Sequence, residues 1–392
     1  MKKVCFIASC DIFPVSAGHH RAMYEICKYL HGLKDVRVKI LVLSREKLRC
    51  PARYREIADE VVVIDIPRKW GLLDWLNKVT IRVGLDMMRN FWWSVGMRNQ
   101  VVNECEGADT IVQNYVNWFA LLPKKIRKAK TILVTHDLFF YRRASFKGQK
   151  TWLERMLVKA NRKFEVRLLS SFKKVCVFGD YEVNLLHDAG LPPERVLKLG
   201  LPLTVEGNID VNRRTEFDFI TIGSGIYQNV EGARVFLTRV VPLLEGRMVS
   251  IAVAGGLSSC DIWDSPIVPK NLRVVRLGYV DDLRVACARA LIGVGTVPVG
   301  SGIKVKNVEM IMNGLPMLLT DSGQEGIPVS SDGSINIDRV SKDELKTRLL
   351  AWLDCPGCAK HDGYDQGIKL RKEFSPCNTL RGLGDVICGY DA

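Results

Sequence analysis

Short apolar runs recur along this chain, separated by stretches in which apolar residues return every three or four positions. The runs fit buried strands and the stretches fit amphipathic helices. In the first half, Val4–Ser9, Val36–Leu43, Val61–Asp65, Thr110–Gln113, Thr131–Thr135 and Val175–Phe178 are predicted strands. Gly18–Leu30 is a predicted helix with Met23, Ile26, Cys27 and Leu30 on one face. The alternation repeats in the second half, with strands at Phe219–Ile222, Val249–Ala254, Leu272–Val275, Leu291–Val294 and Pro316–Leu319. Helices are predicted near Val230–Leu244, Asp282–Ala290, Val305–Met312 and Lys342–Leu353. Alternating strands and helices of this kind imply parallel sheets, and so an α/β fold.

The chain has 392 residues, more than one core usually serves, so two domains are expected. Leu201–Arg214 carries turn residues without periodicity and reads as the linker. The expected division is a domain over 1–200, a linker over 201–214, a second domain over 215–375 and a C-terminal helix over 376–392. Two such α/β domains would place a ligand in the cleft between them, at the carboxyl ends of the strands.

Composition narrows the class. Hydrophobic residues make up 47% and charged residues 26%, as in a soluble globular protein, and no apolar run is long enough to span a membrane. Lys2-Lys3 before Val4–Cys10 imitates an export signal, but its apolar part of about 6 residues falls short of the ~7–15 such signals need. A first buried strand suits it better. Twelve cysteines are scattered from Cys5 to Cys388, which fits reduced thiols in a cytosol. Cys355-Pro-Gly-Cys358, with His361 and Cys377, could supply zinc ligands, but a second close pair is missing. A Pro-Gly turn flanked by free thiols is the expectation there, and no metal is expected elsewhere.

Charge is lopsided. The formal net charge of +14 belongs to the first half: residues 1–200 carry 36 Lys and Arg against 20 Asp and Glu, whereas 201–392 carry 21 against 23. An anionic surface or substrate met by the first half alone would explain this. Lys124–Lys130 is a basic cluster, and cations interleave with aromatics at Phe139–Arg143, from Lys147 to Lys174, and over Trp70–Trp93 with Trp75, Arg82, Arg89, Phe91 and Trp92. That mixture suits contact with anionic lipid headgroups. A solvated face with some tryptophans in the core is the alternative. No nucleic-acid recognition motif is present.

The densest chemistry lies in Pro298–Pro316. Gly300 and Gly302, then Lys304 and Lys306, stand where a strand hands over to a helix, which suits a diphosphate. Glu309 follows one helical turn later, spaced to accept hydrogen bonds from a sugar diol. This order resembles the donor loop of family-4 (group 1) glycosyltransferases, one branch of which reads Gly-Ser-Gly-Ile-Lys-x-Lys-x-x-Glu-Ala-Met-x-x-Gly-x-Pro. Gly300, Ser301, Gly302, Lys304, Lys306, Glu309, Gly314 and Pro316 occupy those places, and Gln324-Glu325-Gly326 resembles the trailing Glu-Gly element. Many relatives carry a further glutamate where this chain has Ser301; the Gly-Ser-Gly branch lacks it as well.

Other segments resemble the same family. Phe219–Asn229 is similar to the first strand of its nucleotide domain, with Gly223 at the turn and Asn229 at the helix start, where an Asn can cap. Tyr227 and Gln228 stand where some members place an arginine and a lysine, which leaves more of the charge neutralisation to Lys304 and Lys306. Gly18, in Pro14–Arg21, matches a glycine beside the donor phosphates, while His19, His20 and Arg21 are less securely placed. Thr135–Leu138 resembles the family's His-Asp strand end, where His136 would face the transferred sugar and Asp137 would fix the loop or the imidazole tautomer.

The resemblance implies a GT-B fold of two facing Rossmann-like domains with an interdomain cleft, and a retaining, metal-independent hexosyltransferase. Glu309 would bind the donor ribose and Lys306 the diphosphate. His136, Lys306 and Glu309 are the candidate catalytic set. Gly18, Gly223, Asn229, Gly300, Ser301, Gly302 and Lys304 are donor-binding candidates. There would be no cofactor beyond a nucleotide-diphosphate sugar as co-substrate. The acceptor would be a saccharide or lipid-linked molecule of cell-surface polysaccharide or lipopolysaccharide synthesis, met at the cytoplasmic membrane face. A nucleotide-sugar 2-epimerase and a non-catalytic binding protein of the same fold are the alternatives.

Overall fold

The computed structural model describes residues 1–15, 18–66, 75–76, 78, 88–136, 138–141, 152–300 and 302–390. The chain divides into two compact units, Met1–Thr204 with Phe374–Ala392, and Val205–Glu373. The division therefore falls after Thr204 and after Glu373.

Each unit is built on a parallel sheet. In the first, β1 (Lys2–Ala8), β2 (Val36–Ser44), β3 (Glu60–Asp65), β4 (Thr110–Asn114), β5 (Thr131–Val134), β6 (Lys174–Val177) and β7 (Val196–Lys198) lie in the order β3-β2-β1-β4-β5-β6-β7. In the second, β8 (Phe217–Ile222), β9 (Val249–Ala254), β10 (Leu272–Gly278), β11 (Ala290–Gly295), β12 (Met317–Leu319) and β13 (Ser334–Asn336) lie in the order β10-β9-β8-β11-β12-β13. Strand order reverses beside β1 in one sheet and beside β8 in the other, the arrangement of a doubly wound fold. The register runs from Lys2 opposite Val36 to Ala8 opposite Val42, with Val4 opposite Thr110 on the other side. The apolar part of the amino-terminal segment is thus a central strand, buried from Val4 to Ala8.

The strands predicted from apolar runs form with small shifts at their ends. The edge strands β7 and β13 were not anticipated, because three residues at a sheet edge show no run. The core explains why the central strands could be read. Cys5, Ile7, Leu41, Leu43 and Ile64 pack with Met97, Val101 and Trp118 on one part of the first sheet. Phe219, Ile251, Val253 and Ile292 pack with Phe236, Leu237 and Trp352 in the second unit. Each such side chain contributes about 1.5–3 kcal/mol on burial.

Three sequence expectations are corrected. Val230–Leu244 is not one α-helix: Tyr227–Val235 is α-helical, Phe236–Val240 widens to a π-turn and Val241–Leu244 tightens to 3-10. Pro242 explains the change, since it has no N–H and its ring excludes the preceding turn's carbonyl. The C-terminal helix expected over 376–392 likewise forms as a short turn, Pro376–Thr379, and then a helix, Arg381–Cys388. Its glycines serve packing, since a Cβ on Gly384 would meet the Tyr29 hydroxyl at 2.7 Å. Finally, Cys355 and Cys358 are joined by a disulfide rather than being free thiols. They sit where helix Lys342–Asp354 ends and helix Pro356–Glu373 begins, which brings their Cα atoms to 5.4 Å, within bridging range.

Residues 205–214 lack periodicity but are anchored to the second unit. Arg213 Nη2 donates to the Gly314 carbonyl at 2.9 Å and Nη1 to that of Asp210 at 3.1 Å. Helix Pro356–Glu373 comes close to the turn after Val305–Met312 through Gly367, whose Cβ would lie 2.7 Å from the Ile311 oxygen.

Where β8 and β9 end, backbone meets backbone. Gly255 has φ +78°, and a Cβ there would stand 2.5 Å from the Gly223 carbonyl oxygen. Gly246 has φ +85° but nothing within 4 Å of such an atom. Gly255→Ala should therefore destabilise the second unit by about 2–4 kcal/mol, against about 1–2 kcal/mol for Gly246→Ala. Denaturant midpoints of the two variants check this; equal losses would show that the close approach is unimportant.

Candidate functional site

The carboxyl ends of each sheet gather the candidate residues into one cluster per unit. In the first unit, β4 ends at Asn114 and β5 is followed by His136. Asn114 Nδ2 donates to the Ile7 carbonyl of β1 at 3.0 Å, and its Oδ1 lies 2.9 Å from His136 Nε2. Because the amide nitrogen is already committed to a carbonyl, Oδ1 accepts, and the network assigns the proton to His136 Nε2. His136 Nδ1 is then the acceptor nitrogen.

Tyr115 stacks on His136 at 4.4 Å between ring centroids, and Phe178 lies at 5.6 Å. Tyr115 holds φ +62°, a conformation that costs a non-glycine residue about 1–3 kcal/mol. The strain is maintained by its N–H, which donates to the Val134 carbonyl at 3.0 Å. Burial, with a smaller push from His19, lowers the His136 pKa to about 3, so the imidazole is neutral at pH 7. His19 is itself lowered to about 4 by burial and then by His20. Gly18 opens helix Gly18–His31, and His19 and His20 lie in its first turn. Asp137 lies outside the described residues.

In the second unit, Gly223 directly follows β8 and β11 runs into the glycine loop. Lys306 Nζ donates to Asn229 Oδ1 at 2.5 Å, and Asn229 Nδ2 donates to the Ser224 carbonyl at 2.9 Å. A Cβ on Gly223 would stand 2.8 Å from Asn229 Nδ2 and 3.2 Å from Lys306 Nζ, so the turn closes only because that atom is missing. Asn229 does not cap the helix. Helix Tyr227–Val235 starts two residues before it, at an Ile226 N-cap with no side-chain bond. The carboxamide bridges the turn and the ammonium instead.

The two lysines differ. Lys304 folds back on its own loop: Nζ donates to Gly302 O at 2.6 Å and lies 3.4 Å from Glu325 Oε2. Burial lowers its pKa and Glu325 opposes the shift. Lys306 is lowered to about 8, by burial first and by Lys304 second. Among the described residues no carboxylate lies within ion-pair range of Lys306. Its charge is thus held by a neutral amide in a desolvated place, a poised arrangement for an incoming anion.

Glycines stand on either side of the middle position of the loop. Gly300 and Gly302 have φ +140° and +76°, which side chains rarely adopt. Ser322 Oγ donates to the Gly300 carbonyl at 3.2 Å, and Asn307 Nδ2 donates to Gly323 O at 2.8 Å. Glu309 lies half-buried on helix Val305–Met312, one turn beyond Lys306, where its charge adds to burial in raising the Cys287 pKa. Ser301 lies outside the described residues. The structure thus brings Gly223, Asn229, Lys304 and Lys306 together with the Gly300–Gly302 turn. Asn114 and Tyr115 were missed in the sequence; the signal available was Asn-Tyr directly after a buried strand.

The basic surface of the first half is partly corrected. Arg127, within Lys124–Lys130, is buried and donates to the carbonyls of Phe119 at 2.6 Å and Leu122 at 2.7 Å. Trp93 packs on Trp118 at 6.5 Å with the Arg45 guanidinium 4.5 Å above it, and Phe140 is buried. Trp75, Trp152, Met156 and Phe164 are exposed. Trp70, Arg82, Arg142, Arg143 and Lys147 lie outside the described residues.

No family model matches the chain, and no curated protein matches its sequence. Solved structures do match in shape. HepE of Anabaena in complex with UDP and glucose superposes with a TM-score of 0.67 at 13% identity, covering 99% of this chain and 100% of that one. Sucrose-phosphate synthase from Thermosynechococcus elongatus gives a TM-score of 0.68 at 11% identity over 100% and 99%. The lipopolysaccharide outer core galactosyltransferase WaaB gives 0.59 at 10% identity over 100% of both chains. The shared architecture is the GT-B fold, two Rossmann-like α/β units.

The depressed His136 pKa has a stability consequence. Unfolding restores the ordinary value near 6.5, so below that pH the unfolded chain takes up a proton that the folded chain refuses. Stability should be full above pH 6.5 and fall as pH drops toward about 3, by at most about 1.4 kcal/mol per pH unit from this group. His136→Asn should flatten the slope of Tm against pH between 6.5 and 4.5; an unchanged slope would remove the assignment.

Proposed function

We propose that the protein is a retaining, hexosyltransferase-type glycosyltransferase that moves a sugar from a nucleotide-diphosphate donor to a saccharide or lipid-linked acceptor of cell-surface polysaccharide or glycolipid synthesis. The observation that carries this reading is the Lys306 ammonium, held by Asn229 beside Gly223 at the end of β8, with the Gly300–Gly302 turn and Lys304 alongside. A diphosphate supplies the negative charge that such a buried cation lacks.

In this reading Lys306 stabilises charge on the departing diphosphate, and the Gly300, Ser301 and Gly302 backbone approaches its oxygens. Gly223 and Gly18 leave room for the phosphates, and Asn229 orients Lys306. Glu309 accepts hydrogen bonds from the ribose diol. Lys304, already paired with Glu325, holds the loop more than the ligand. Neutral His136 accepts a hydroxyl proton of the transferred sugar at Nδ1 as a hydrogen bond. Departure of the diphosphate leaves an oxocarbenium-like sugar, and a phosphate oxygen takes the acceptor's proton on the same face, with no protein nucleophile and no metal in the step. Positioning and leaving-group stabilisation are then the protein's whole task. HepE holds UDP and glucose, so UDP-glucose is the first donor to try.

The acceptor reading rests on the charge of the first half and on WaaB's action on the lipopolysaccharide outer core. Helix Trp152–Leu169 presents exposed Trp152, Met156 and Phe164 together with Arg155 and Lys159, a composition that suits an anionic membrane face. No helix of the described residues is long and apolar enough to cross a membrane. A cytoplasmic protein bound peripherally to the inner face of the membrane fits this surface.

Thermal shift with UDP, GDP and their sugars should raise Tm for one nucleotide class, and Glu309→Ala should weaken that nucleotide about 10–100-fold. No shift with any nucleotide would sink the proposal. Transfer or donor hydrolysis should fall as pH rises through about 8, because Lys306 loses its proton there. Lys306→Ala should cost about 100-fold or more in kcat/KM and abolish that limb of the pH profile. Anionic liposomes should sediment the protein at low salt and release it at high salt; absence of binding at both would remove the membrane contact.

A further inference from the structure

The end of β1 and the first turn of helix Gly18–His31 bring three metal-ligating side chains together. Cys10, His19 and His20 each offer one ligand atom, and all three atoms lie within 4.8 Å of one another. Successive residues of a helix point about 100° apart, yet the rings of His19 and His20 meet edge to face at 4.2 Å. His20 Nδ1 is buried and has no hydrogen-bond partner. A buried polar atom left unpaired is costly unless something outside the protein completes it.

The surrounding loop is held in place chiefly by the Asp11 carboxylate. Asp11 Oδ1 accepts from the Phe13 N–H at 3.1 Å and from the Tyr54 hydroxyl at 2.7 Å, while Oδ2 accepts from the Arg49 N–H at 2.9 Å. The Tyr54 oxygen in turn accepts from the Ile12 N–H at 2.9 Å. The carboxylate beside Cys10 is thus spent on fixing the loop, and the donor set is the thiol, which has the Ser9 side chain as a hydrogen-bond partner, with the two imidazoles.

We propose that Cys10, His19 and His20 bind one borderline-soft divalent cation, zinc foremost, with a fourth position open to water. One sulfur and two imidazole nitrogens are a zinc donor set, whereas magnesium and calcium take oxygen. Tetrahedral zinc needs donor separations of about 3.3–3.6 Å, so no pair must close by more than about 1.5 Å. The Cys10 thiol proton leaves to solvent as the zinc–sulfur bond forms. The ion ties the end of β1 to the first turn of the helix that Gly18 opens. It has no part in the transfer step, and the site stands or falls independently of the glycosyltransferase reading.

The test uses the full chain, stripped by chelator and then given zinc alone. Calorimetry should find one tight equivalent, weakened about ten-fold or more by Cys10→Ser and by His20→Ala. On the unaltered chain, zinc should slow alkylation of Cys10 about ten-fold or more, while exposed Cys377 continues to react at its metal-free rate. Magnesium should protect neither thiol. Zinc uptake that leaves Cys10 alkylation unchanged overturns the proposal, as does binding retained in both variants; the alkylation readout requires no variant to fold.

Discussion

Parallel pairing is the constraint on which the rest of the structure depends. Every strand pairing among the described residues is parallel, so the carboxyl ends of all strands in a sheet open on one edge. Helices must return the chain across the faces, which buries the central strands on both sides and leaves their carboxyl ends as the place where polar residues can meet. Both candidate clusters are consequences of that. Asn114 ends β4 and His136 follows β5, while Gly223 follows β8 and Gly300 and Gly302 come after β11.

Within this frame, desolvation does most of the electrostatic work, and it acts in opposite ways on the two units. It keeps His136 and His19 neutral, so the first unit offers hydrogen-bonding imidazoles rather than positive charge at its strand ends. It brings Lys306 to about 8, still mostly protonated at neutral pH, and leaves it facing an amide. Lys304, two residues earlier, is paired with Glu325 and with loop carbonyls. Two lysines that look equivalent in sequence therefore have different duties: one shapes the loop and the other carries charge.

Much of this was legible. The central strands are apolar on both faces, so their runs stand out, and Val305–Met312 has the ends that its pattern predicts. The two glycines marked a turn because backbone at positive φ favours glycine, as Gly300 and Gly302 adopt. What escaped depended on contacts distant in sequence. Asn229 reads as a cap, yet its carboxamide is taken by Ser224 and Lys306, 77 residues away. Arg127 reads as surface charge within a lysine-rich run, yet its guanidinium is drawn inward by the Phe119 and Leu122 carbonyls. The Cys355–Cys358 bridge depends on how one helix ends and the next begins.

By itself the sequence determined the periodicities, hence two parallel α/β units, and the residue types at the glycine loop. These are local properties, set by side-chain period and by the steric demands of a turn. The tertiary structure decided which titratable groups lose water and which partners they meet. That left Lys306 buried against a neutral amide while Lys304 pairs with Glu325, set Tyr115 in its strained conformation against His136, and gathered Cys10, His19 and His20. Desolvation and long-range pairing depend on three-dimensional neighbours, and no linear pattern encodes those distances.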